Sequence, residues 1–75
     1  MKKEFKLRGH IIDSLTLSKL LDEISDTGAT CYATEVFVGP KRQDVSEAMF
    51  VIEEDEPATM EKAVEIAKKH GAVEV

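Results

Sequence analysis

From residue 4 to residue 12 apolar and polar side chains alternate. Phe5, Leu7, Gly9 and Ile11 fall on one face and Lys6, Arg8, His10 and Ile12 on the other, the period of two that predicts a half-buried strand. The spacing then changes: Leu17, Leu20, Leu21 and Ile24 recur at helical intervals, with Ser14 or Thr16 as N-cap and Gly28 as the stop. This predicts a helix from about 15 to 27 whose leucine stripe faces a sheet. Period two returns over 29–38, where Tyr32, Thr34, Val36 and Val38 alternate with Cys31, Ala33, Glu35 and Phe37. A connection rich in glycine, proline and polar residues spans 39–44 and leads into the apolar run 48–52, a third strand. Pro57 opens a second helix in which Met60, Ala63, Val64 and Ala67 share a face, Glu65 and Lys69 stand at i,i+4, and Gly71 marks the end; residues 72–75 read as a last strand.

The order βαββαβ predicts an α+β, ferredoxin-like sandwich: a four-stranded antiparallel sheet with two helices on one face. The other face of such a sheet is left open. Because the third strand is apolar on both sides, either Met49 and Val51 or Phe50 and Ile52 should join Val36, Val38 or Phe37 in a sticky patch. That open face is the expected surface for self-association or for packing on further chain.

Composition narrows the functional classes. Seventy-five residues make one domain, too few for a cofactor domain and a substrate domain together, and 43% hydrophobic residues supply a core. A net charge of −5 disfavours nucleic acid, whose phosphates demand clustered cations. The acidic run 53–56 reads as a solvated turn before a helix, not as a metal site. One cysteine, Cys31, allows no internal disulfide and no two-cysteine metal motif, which fits a cytoplasmic protein. Apolar stretches are only a few residues long, far short of the ~20 that span a bilayer.

Chemistry-bearing residues are few. His10, Arg8 and Asp13 combine a base, a cation and a carboxylate at the point where strand hands over to helix. Structural roles are the preferred reading, since so small a domain offers little volume for a substrate pocket: Asp13 or Ser14 capping the helix, His10 bonded at the sheet end, Gly9 permitting a bulge or close backbone approach. Lys41 and Arg42 beside Gly39 could contact an anion, although a solvated loop is the preferred reading. Cys31 reads as a buried thiol and His70 as a cation at a helix C-terminus. The glycines are isolated, with no dinucleotide or phosphate-loop spacing, so the chain alone should not bind NAD.

The string Arg8-Gly9-His10, followed by Ile12-Asp13-Ser14, is not demanded by hydrophobic pattern. It resembles the opening motif of the LOR/SDH conserved region, named from bifunctional lysine-ketoglutarate reductase/saccharopine dehydrogenase. The resemblance continues through Leu17 to Ile24, Gly28, residues 35–39 and the Asp44-x-Ser46-x-Ala48 entry to the third strand. It implies an N-terminal piece of a longer protein, like the domain that precedes a nucleotide-binding portion in archaeal NAD-dependent ornithine cyclodeaminases. It implies a non-catalytic accessory or assembly domain in amino-acid metabolism, with catalytic residues and any NAD site outside this chain, partnered by the rest of a parent chain or by a second copy. Arg8, Gly9, His10, Asp13 and Ser14 carry over only as interdomain or site-bordering positions. The alternative is a regulatory domain of the ACT type, which shares the βαββαβ order and binds a small amino-acid effector.

Overall fold

A computed structural model describes residues 1–75 except Asp13 and Arg42. The elements are β1 (Lys2–Gly9), α1 (Thr16–Asp26), β2 (Thr30–Phe37), β3 (Ser46–Glu53), α2 (Pro57–Lys69) and β4 (Val73–Glu74). They build one sheet in the order β2-β3-β1-β4 with every pair antiparallel, the ferredoxin-like arrangement expected from the pattern. Among the described residues no helix is long and apolar enough to cross a membrane.

Strand β3 organises the sheet because its alternation is complete. Ser46, Ala48, Phe50 and Ile52 are buried under the helices, while Glu47, Met49, Val51 and Glu53 are half-buried on the other face. Opposite residues of an antiparallel pair point to the same side. Phe5 therefore lies against Phe50, the two rings stacked with centroids 5.5 Å apart. Leu20 and Ile24 from α1 and Met60, Ala63 and Ala67 from α2 close the core over them. Burying side chains of this kind contributes about 1.5–3 kcal/mol each, which makes the middle of the sheet the source of stability.

Three expectations need correction. The first strand stops at Gly9, where φ is +140° and the ladder ends, so His10, Ile11 and Ile12 form a turn instead of continuing the strand. Nothing lies within 4 Å of a Cβ built at Gly9, so the glycine serves this backbone angle and not a close approach. In β2 the period of two does not persist: the register shifts between Ala33 and Glu35, a bulge that leaves Thr34 without a place in the pairing. Tyr32, Glu35 and Phe37 consequently face the open side, opposite Val51, Met49 and Glu47. Finally, Lys69 does not pair with Glu65 but reaches α1, its ammonium 3.0 Å from Glu23, whose other oxygen is 3.2 Å from His70. Bridging to the neighbouring helix ties the two C-terminal turns together.

The open face is less sticky than expected. Phe50 and Ile52 belong to the core, and Met49 and Val51 are flanked by the ion pairs Lys2–Glu53, Lys6–Glu47 and Arg8–Glu47. An apolar stripe of Met49 and Val51 remains, continued on β2 by Tyr32 and Phe37 and bordered by the charged side chains of β1.

Candidate functional site

The end of β1, the end of β2 and the start of β3 converge, because Gly9 pairs with Ser46 and Phe37 with Glu47. Two loops meet at this tip of the sheet: 10–15, which carries the motif, and 38–45, which closes the β2–β3 hairpin. Six of the ten exposed large apolar side chains among the described residues lie at the same end, with Phe37 63%, Leu15 57% and Val38 56% exposed and Ile12, Val36 and Val45 beside them; Met1, Tyr32, Val73 and Val75 lie elsewhere. Leu15 is strained as well as exposed. It holds φ at +62° in the left-handed region, which costs a non-glycine residue about 1–2 kcal/mol.

The strain follows from how α1 begins. Neither Ser14 nor Thr16 caps the helix; Leu15 occupies the N-cap position, and among the described residues no side chain bonds the free N–H groups. The Ser14 hydroxyl instead donates to the carbonyl of His10 at 2.5 Å and lies 2.6 Å from the Thr16 hydroxyl. Backbone bonds then wind the turn: Leu15 N–H donates to Ile12 and Leu17 N–H to Ile11. The motif serine thus shapes the loop, and the expectation that it caps the helix fails.

Between the two loops lies a cleft of about 120 Å³ lined by the polar residues His10, Lys41, Asp44 and Ser46 and by the apolar Ile12, Val38 and Pro40. The hairpin loop is held in shape by its own groups. Lys41 N–H donates to the Asp44 carboxylate at 3.1 Å, Asp44 N–H returns to the Lys41 carbonyl at 2.9 Å, and Gly39 N–H donates to the buried Ser46 hydroxyl at 3.1 Å. Gly39 is indispensable here, because a Cβ would stand 2.5 Å from Asp44 Cβ and 2.8 Å from the Val45 carbonyl oxygen.

The structure therefore joins His10 to Lys41 and separates both from Arg8, which stays on the open sheet face with its guanidinium 3.9 Å from Glu47. Asp13 and Arg42 lie outside the described residues. Sequence reasoning missed Asp44 and Ser46 as cleft residues, although both stood in the string leading into the third strand. Elsewhere chemistry is sparse. Burial pushes the Cys31 thiol up to about 11, which keeps it protonated and unreactive at neutral pH. The acidic turn spends one Glu54 oxygen on the Asp55 and Glu56 N–H groups, and no metal-binding cluster occurs among the described residues.

Comparison with known proteins gives a consistent picture. The family model described as LOR/SDH bifunctional enzyme conserved region matches residues 2–75. Similar curated relatives are an ornithine cyclodeaminase of Methanothermobacter thermautotrophicus, 36% identical over 70 residues, and one of Methanopyrus kandleri, 39% identical over 70 residues; each match covers 93% of this chain and 17% of the relative. The chain thus spans about a sixth of the length of these relatives. Among solved structures, AgrE in its ternary complex with ornithine and NAD+ superposes with a TM-score of 0.94 at 27% identity, covering 100% of this chain and 11% of that one. ArgZ, an arginine dihydrolase from the ornithine-ammonia cycle in cyanobacteria, shares the fold with a TM-score of 0.92 at 20% identity, over 100% of this chain and 12% of its own.

Proposed function

We propose that this chain, which belongs to the LOR/SDH conserved-region family through a match over residues 2–75, is a non-catalytic accessory domain of an amino-acid-metabolising, NAD-dependent enzyme of the ornithine cyclodeaminase kind. It docks on the larger catalytic portion through the tip of its sheet. One observation carries this reading: the family motif and the exposed apolar side chains Ile12, Leu15, Phe37 and Val38 occupy the same end of the molecule. Apolar surface gathered beside a motif suits an interface, whereas Met49 and Val51 further along the open face are flanked by ion pairs.

A supporting role also agrees with the chemistry available. His10 stands with Lys41 and Asp44 in a small cleft, but a dinucleotide needs a glycine-rich turn at a helix start, and α1 begins with a strained leucine. Ornithine and NAD+ in this reading bind the larger portion. The domain positions it or completes its surface, within one chain as an N-terminal piece or between chains.

A chimera tests the proposal. The segment of the M. thermautotrophicus enzyme that matches this chain is replaced by residues 1–75, and ornithine turnover is followed with NAD+ present. The chimera should turn over ornithine, the enzyme lacking the segment should be impaired, and the 75-residue chain alone should be inert. Turnover by the isolated chain, or full activity of the enzyme without any such segment, would refute an accessory role.

A further inference from the structure

We propose that the cleft at the sheet tip binds the headgroup of a free α-amino acid, a carboxylate and an ammonium borne by one carbon. The inference goes beyond the accessory reading and does not depend on it.

Both charges of such a headgroup meet a complement. Lys41 and His10 both line the cleft, and their side chains carry an ammonium and an imidazole, groups that donate to a carboxylate. Asp44 brings the opposite charge. One of its oxygens, Oδ2, accepts from Lys41 N–H, and a carboxylate has roughly four acceptor positions, so room for an ammonium remains. A simple anion would meet Asp44 as a repulsion, and a doubly charged phosphate would meet it more strongly. A simple amine would meet Lys41 in the same way. A ligand carrying both signs complements all three of these described residues.

Size and wall chemistry point the same way. A cleft of about 120 Å³ is several times what one water molecule requires, enough for the five heavy atoms of the headgroup but not for a nucleotide. Ile12, Val38 and Pro40 supply an apolar wall against which the first carbons of an aliphatic side chain can lie. The loop is preformed: the Lys41–Asp44 bonds and the close approach at Gly39 fix it before any ligand arrives, which lowers the ordering cost of binding. An amino acid seated there would lie between the motif loop and the hairpin loop, within the proposed docking surface, where its presence changes what the tip offers to a partner.

The test is an NMR titration of the 75-residue chain labelled with nitrogen-15, at fixed pH and ionic strength, with glycine, ornithine and proline, and with acetate, methylammonium and phosphate as single-charge controls. Saturable shifts are expected at the amides of residues 10–12 and 39–46 for the amino acids. Acetate and methylammonium should bind roughly tenfold more weakly. Lys41→Ala and Asp44→Asn should each weaken glycine binding by a similar factor while the remaining spectrum stays native. Absence of saturable shifts, acetate or phosphate binding as tightly as glycine, shifts spread over the sheet, or undiminished binding in both variants would each overturn the proposal. Because the titration uses the isolated chain, failure of the chimera leaves its outcome standing.

Discussion

The middle and the tip of the sheet are built from the same kinds of residue and put them to opposite use. In the middle Phe5, Phe50, Ile52, Leu20 and Ile24 are 0% exposed beneath the two helices, whereas at the tip Phe37 and Val38 are more than half exposed on the adjoining strand and loop. The helices cover only part of the sheet, and strand β2 buries no side chain completely. Hydrophobicity converts into stability only where area leaves water, so the tip residues add little to folding. What they add is an apolar surface beside a polar cleft, held in place by a core that does not include them.

The sharpest way to break the comparison is at its buried half. Phe50→Ala removes a ring stacked on Phe5 and should cost about 3–5 kcal/mol, a large share of the roughly 4–11 kcal/mol available to a domain of this size. Urea denaturation followed by circular dichroism measures it, and a loss below about 1 kcal/mol would mean that the core is elsewhere. At the tip, Gly39→Ala forces a methyl group into Asp44 and the Val45 carbonyl and should cost about 1–3 kcal/mol. Urea denaturation measures this loss as well, and the amide spectrum of the nitrogen-15-labelled variant should differ from that of the unsubstituted chain only in the hairpin loop.

The smallest effect concerns neither region but the link between the helix ends. Hydrogen bonds from Lys69 and then His70 hold the Glu23 carboxyl below its ordinary value of 4.5. A depressed folded-state pKa contributes stability that is present above the unfolded value and is lost as pH falls through the lower folded value. Glu23→Gln should therefore leave the core intact and flatten the decline of melting temperature below about pH 4.5, and the difference should shrink in high salt because these groups are exposed.

How much the sequence disclosed depended on which interactions set each feature. The first helix was legible, 15–27 expected against Thr16–Asp26 observed, because the Leu20 and Ile24 spacing is local and the helix buries the stripe it displays. Strand order followed from element order. The parity of β2 was not legible, since one bulge at Thr34 moves Glu35 and Phe37 to the open face and nothing local in a β-branched run announces it. The motif was visible as a string, but its partner was not: His10 and Lys41 come to line one cleft because Gly9 turns the chain out of the sheet and Gly39 lets the hairpin loop fold on Asp44. Ser14 had the composition of a helix cap and spends its hydroxyl on His10 instead. Such choices are settled by tertiary geometry, where two hydrogen-bond partners of similar worth compete.

The separation of a stabilising middle from a working tip is tested most directly by ornithine turnover in the chimera when its inserted segment carries Phe37→Ser and Val38→Ser, read per folded molecule. The account expects each substitution to change the stability of the 75-residue chain by no more than about 0.5 kcal/mol, as exposed positions do, while turnover falls well below that of the unsubstituted chimera. Unchanged turnover in a folded, equally stable double variant would contradict it, and the tip would then be surface and nothing more.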